Sequence, residues 1–168
     1  LGIWIEATGA SHLFAHATDF CDTDTDDTDS GLKAMCVDLY RQISQTGLRA
    51  SIASASTFGA AFALAHYHRD VSAQPVHAPA RRARMREALA DLPLAALRLP
   101  LDILHALSQA GLRQISHLYP LGRADLTVRF GPDLVLRYSQ LFGDQPDSQI
   151  SVQPVQPVAV TKIWAEPV

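Results

Sequence analysis

The chain has 168 residues, 48% of them hydrophobic and 18% charged, which suffices to bury one sizeable core or two small ones and excludes disorder throughout. No run approaches the roughly 18 apolar residues that cross a bilayer, and no basic stretch followed by an apolar region and a small-residue cleavage site opens the chain, so a cytoplasmic protein without a membrane partner is expected. The net charge of −3 argues at first sight against a nucleic-acid partner. Yet six of the 17 acids (Asp19, Asp22, Asp24, Asp26, Asp27 and Asp29) crowd one short stretch; without them 14 basic residues face 11 acidic ones, and ten arginines lie at or after Arg69.

Ile3, Ile5 and Ala7 alternate with Trp4, Glu6 and Thr8, which predicts a strand ending at Gly9. The chain opens on Leu1 within that pattern, so the numbering is expected to begin inside a longer protein. The run Cys21 to Gly31 (CDTDTDDTDSG) repels itself, and a solvated acidic loop over 19–31 follows. From Leu32 the apolar positions Met35, Cys36, Leu39, Tyr40 and Ile43 keep helical spacing, with Gly47 placed to close the helix. Leu48 to Ser54 alternates as a strand, Thr57 is a candidate N-cap, and Ala60 to His66 is rich in helix formers. This predicts an α/β layer of strand, helix, strand and helix up to about residue 73.

Gln74 to Pro79 holds two prolines and breaks regular structure, placing a domain boundary between 71 and 80. Arg81, Arg82, Arg84 and Arg86 lead into a helix ending near Asp91. Leu101 to Gln109, Arg113 to Leu118, Ala124 to Phe130 and Pro132 to Phe142 then read as four short helices punctuated by Gly111, Gly122, Gly131 and Gly143. Residues 81–143 should form a small all-helical unit. Beyond it, 144–168 is polar, contains Pro146, Pro154 and Pro157, and reads as an extended linker.

Few residues carry obvious chemistry. Cys21 and Cys36 show no CxxC spacing, so reduced structural thiols are expected rather than a disulfide or zinc. Asp22, Asp24 and Asp26 match the first three ligand positions of a calcium loop, but Asp27 stands where glycine is needed and Lys33 where a bidentate glutamate is needed. Glu6 is a single carboxylate and supports a structural hydrogen bond better than catalysis. His12 with His16, and His66 with His68, lack an HExxH signature or a third ligand, and no GxSxG appears. No catalytic or metal-ligating residue is expected.

Four segments in order carry a resemblance: IWIEATG (Ile3 to Gly9), TGLRASIASASTFGAAFALA (Thr46 to Ala65), LADLPLAALRLP (Leu89 to Pro100) and LSQAGLRQISHLYPLGRADLTVRFG (Leu107 to Gly131). Over nearly the whole chain they resemble the palm-to-thumb region of Y-family DNA polymerases. The wording of ATGASHLF (Ala7 to Phe14), LPLAALRL and RADLTVRFG is that of the ImuB branch. The resemblance implies a partial palm over 1–73, a helical thumb with a degenerate helix-hairpin-helix over 81–143, and a linker over 144–168 toward a little-finger domain.

Three departures from active members shape the implied function. The family's Asp-Glu pair, which helps hold two Mg2+ ions, aligns with Leu1 and Gly2, which offer no side-chain ligand. Its helix lysines align near Thr57, Phe58, Ala61 and Phe62. Its glycine-rich hairpin, whose N–H groups hold a DNA phosphate, reads Arg98, Leu99, Pro100, and proline has no N–H to donate.

The implied protein is a non-catalytic accessory of translesion synthesis, needing no cofactor, that binds DNA in the nucleoid. Its implied partners are a sliding clamp, a RecA-like ImuA-type protein and an error-prone C-family polymerase. Alternatives are an active Y-family polymerase using Mg2+ through carboxylates elsewhere, and a plain helix-hairpin-helix DNA-binding module. Expected DNA contacts are Arg81, Arg82, Arg84 and Arg86 at the palm-thumb junction, with Arg98 and Arg113 in the thumb. Arg123, Arg129 and Arg137 are expected to meet phosphate or to pair with Asp125 or Asp133.

Overall fold

A computed structural model describes residues 2–14, 27–68, 75–77 and 82–148. Arg81, Cys21, His16, the calcium-like positions Asp22, Asp24 and Asp26, and the linker beyond Ser148 lie outside the described residues. What is described is mostly helical: α1 (Asp27–Gln45), α2 (Phe58–Tyr67), α3 (Arg82–Leu89), α4 (Leu101–Gln109), α5 (Arg123–Phe130) and α6 (Pro132–Leu141), with 3₁₀ turns at Ser11–Leu13, Leu94–Leu97 and Ile115–Leu118. Two strands of two residues each, β1 (Ala53–Ser54) and β2 (Val76–His77), pair in parallel across the α2 crossover.

α1 buries Ala34 and Cys36 and packs on the first 3₁₀ turn and on β1 and β2. Its end is where the spacing placed it: Gly47 adopts φ 79, the left-handed conformation glycine takes without a Cβ penalty. Its start is earlier than expected. Asp27 to Gly31, read from composition as loop, belong to the helix. Cys36 is a buried free thiol, raised by desolvation above its ordinary pKa.

The expected strand over Ile3 to Ala7 does not form, and Leu48 to Ser54 contributes only its last two residues to β1. A strand exists only by hydrogen bonding to a neighbour. Among the described residues none lies beside Ile3 (86% exposed) or Ile5 (64%). Trp4 instead rests on the Phe58 ring, 3.8 Å between centroids. The four-element α/β layer is therefore reduced here to one short β-α-β crossover packed on α1.

α2 joins this part to the helical core. It presents the small residues Gly59, Ala60 and Ala63, beside Leu64, and a Cβ built on Gly59 would stand 3.3 Å from the Leu141 backbone of α6. Around it the short helices bury Leu89, Leu107, Ile115, Leu118, Leu126, Leu134 and Leu141 almost completely. An antiparallel bridge between Pro93 and Gln114, with the Leu94 N–H donating to the Arg113 carbonyl, holds the two later 3₁₀ turns side by side. Arg113 to Leu118, expected as a helix, is only the 3₁₀ turn from Ile115, while α4, α5 and α6 match their expected spans within a residue.

Thr57 is the hinge pin of this packing. Its hydroxyl accepts from the Ala60 N–H at 3.2 Å, capping α2, and donates to the Leu141 carbonyl at 2.7 Å, satisfying the end of α6. Thr57→Ala, which removes the cap and leaves a partly buried carbonyl short of a donor, should cost about 1–3 kcal/mol. Thr57→Ser, which keeps the hydroxyl, should cost less than half of that; urea-unfolding midpoints at constant slope would check both.

Candidate nucleic-acid interface

Helix α3 is short, with Met85 and Leu89 turned into the core, so its arginines radiate from the remaining faces. Arg82 donates two hydrogen bonds to the Asp144 carboxylate, at 2.5 and 2.8 Å. Arg86 lies 4.2 Å over the Tyr119 ring, while the Tyr119 hydroxyl donates to the Arg86 carbonyl at 2.6 Å. Burial pushes the Tyr119 phenol up to about 12. Arg84 is exposed and, among the described residues, makes no ion pair or hydrogen bond. The expected cluster is thus divided: Arg84 and Arg82 are both exposed, Arg82 being clamped on Asp144, and Arg86 is half-buried over Tyr119.

The stretch Arg98, Leu99, Pro100 links a 3₁₀ turn to α4. Arg98, between the 3₁₀ turn Leu94–Leu97 and α4, adopts φ 57 and ψ 38, the left-handed conformation that glycine favours and other residues rarely enter. Its guanidinium lies 4.8 Å over Phe58 and 5.6 Å over Phe62 and pairs with Asp147. Pro100 occupies the N-cap of α4, where its missing N–H breaks no helical bond. Arg113 is exposed; its backbone N–H donates to His117 Nδ1 at 3.2 Å, and its side chain has no ionic partner among the described residues.

Reasoning from the sequence missed the residues that organise these cations. Arg123 pairs with Asp144 rather than Asp125. Arg137 donates to Gln140 Oε1 at 3.2 Å and lies 3.9 Å from Asp147, not in a pair with Asp133. Arg98, Leu99, Pro100, Asp133, Leu136 and Arg137 line a cleft of about 410 Å³ between the starts of α4 and α6. The segment carrying both aspartates was expected as the beginning of a linker. It is anchored by a Schellman cap: Gly143 at φ 77 donates to Gln140, and the Asp144 N–H donates to the Ser139 carbonyl at 2.8 Å. Two acids within four residues of a C-terminal glycine were the available signal.

No group of three His, Cys, Asp or Glu side chains gathers among the described residues, and Glu6 is exposed. His66 stacks on Phe62, and its Nδ1 lies 3.1 Å from the Phe62 carbonyl.

The hydrogen bond from Arg82, reinforced by Arg123, holds the Asp144 carboxyl down at about 2, below its ordinary 3.8. A carboxylate lowered on folding stabilises the fold above its unfolded pKa, and the contribution disappears as pH falls through the folded value. Stability should therefore drop between about pH 4 and pH 2 through this group. In Asp144→Asn that part of the urea-midpoint profile should be flatter.

Comparison with known proteins supplies the identity. No protein-family model matches the chain, and no solved structure does. Protein ImuB from two strains of Caulobacter vibrioides is 32% identical over 167 residues, which cover 99% of this chain and 32% of those proteins. The chain spans about a third of the length of the curated relatives it matches. No described helix is long and apolar enough to cross a membrane. Along the stretch it covers, the chain is of ImuB type.

Proposed function

We propose that this chain is the palm-to-thumb part of a non-catalytic Y-family polymerase homologue that binds DNA and assists synthesis across damaged template. The observation that carries the reading is the identity to ImuB running along 99% of the chain, through both the palm-like and thumb-like segments. In this reading 1–73 is the palm remainder, 81–143 the thumb and 144–168 a linker. Exposed Arg84 and Arg113, with Arg81 three residues before Arg84, supply phosphate contacts, since backbone phosphates are met by arginine without regard to base sequence. Arg82, Arg86 and Arg98 join them to the extent that their internal partners release them.

The partners follow from the same resemblance: a sliding clamp, a RecA-like ImuA-type protein and an error-prone C-family polymerase. Leu1 and Gly2 at the aligned carboxylate positions and the solitary Glu6 favour an accessory over an enzyme. A thumb that keeps a left-handed hairpin residue without its glycines favours contacts made by side-chain charge, so binding should weaken steeply with salt.

The test is primer extension by the full-length protein on an undamaged primer-template with Mg2+ or Mn2+, alongside DNA binding by the same sample. The expected result is binding without extension, with Arg84→Gln and Arg113→Gln each weakening it and lowering the slope of log affinity against log salt by about one. Extension that is lost on mutating carboxylates upstream of the aligned Leu1 and Gly2 would make the protein an active polymerase instead.

A further inference from the structure

Four arginines of the helical part are held in two pairs, and each pair is bridged by one carboxylate. Asp144 takes Arg82 from α3 and Arg123 from α5; Asp147 takes Arg98 from the hairpin and lies within 3.9 Å of Arg137 on α6. In sequence the bridging acids lie 62 and 21 residues from the first pair and 49 from Arg98. These contacts are therefore set by the tertiary fold. An oxygen anion between two guanidinium groups is the arrangement by which arginine receives phosphate.

The segment bringing the carboxylates is anchored chiefly by backbone. Gly143 and Asp144 are tied to Gln140 and Ser139, and Gln140 Nε2 donates to the Pro146 carbonyl at 3.1 Å. Arg82 and Arg123 keep about half of their side-chain surface exposed, so the Asp144 pair is open to exchange with an outside anion. A polyanion that brings its own negative charge to these two guanidinium groups competes directly with the Asp144 carboxylate for the same donors. Arg98 and Arg137 line one cleft together with Leu99, Pro100, Asp133 and Leu136, and in this pair the carboxylate and Arg98 are less exposed than in the Asp144 pair.

We infer that Asp144 and Asp147 occupy two backbone-phosphate sites, Arg82 with Arg123 and Arg98 with Arg137, and that this segment competes internally with nucleic acid for them. The inference rests on the proposed DNA binding and adds a mask to it. With the carboxylates in place, the four arginines are charge-neutralised in part and contribute weakly to affinity. When the segment is displaced, two phosphate sites open in addition to exposed Arg84 and Arg113.

The test compares the full chain with its D144N/D147N and D147N variants, each checked for folding by circular dichroism and thermal melting. Binding to a fluorescent primer-template duplex is measured from low to moderate salt. D147N is included because it leaves the Asp144 clamp intact if the double variant loses stability. The expected outcome is several-fold tighter binding by the double variant and a smaller gain by D147N, with a salt slope steeper by about one for each pair freed. Adding R98Q and R137Q should cancel the gain of D147N. Folded variants that bind as the parent does, or more weakly, with the same salt slope would overturn the mask and leave DNA binding standing. If parent and variants all fail to bind at low salt while remaining folded, the mask falls together with the reading beneath it.

Discussion

The rest of the structure depends on a single hydroxyl placed between two helix ends. Thr57 satisfies a donor at the start of α2 and an acceptor at the end of α6, and backbone groups at helix ends have no partner within their own helix. Because Gly59, Ala60 and Ala63 let the two helices approach closely, the hydroxyl also sets the contact through which the β-α-β crossover meets the leucine core. Helices of eight to ten residues are marginal alone in water. α3 to α6 persist because each buries one or more leucines or Met85 against the others, and the Thr57 junction brings α2 into the same core.

What could be read from the sequence was what local physics decides. Helical spacing from Leu32, the caps at Gly47 and Thr57 and the glycine punctuation around α5 and α6 depend on residues within a few positions of one another. What could not be read depends on distant neighbours. Alternation over Ile3 to Ala7 records a preference for extended chain but says nothing of a strand alongside, and none of the described residues provides one. Composition made Asp27 to Gly31 a loop, although these residues open α1.

The candidate interface divides in the same way. That arginines concentrate after residue 69 was plain from the sequence, and Arg84 and Arg113 are exposed. That Arg86 is laid over Tyr119, that Arg98 enters the left-handed region, and that Asp144 gathers Arg82 and Arg123 were not, because these contacts are products of tertiary packing. Charge counting treats an arginine as a free cation. Here several are structural members first, with aromatic rings beneath them and carboxylates at their heads.

The Schellman cap at Gly143 also has a mechanical meaning. It turns the chain back across the helical part, so the path leaving toward residue 148 runs over the arginines. A pull on the chain from that side reaches Asp147 before Asp144, and both before the cap. The ion pairs would therefore yield in sequence, Arg98 and Arg137 first, while α6 and its leucines remain seated. Tension on the chain from that side would thus peel the segment from one end.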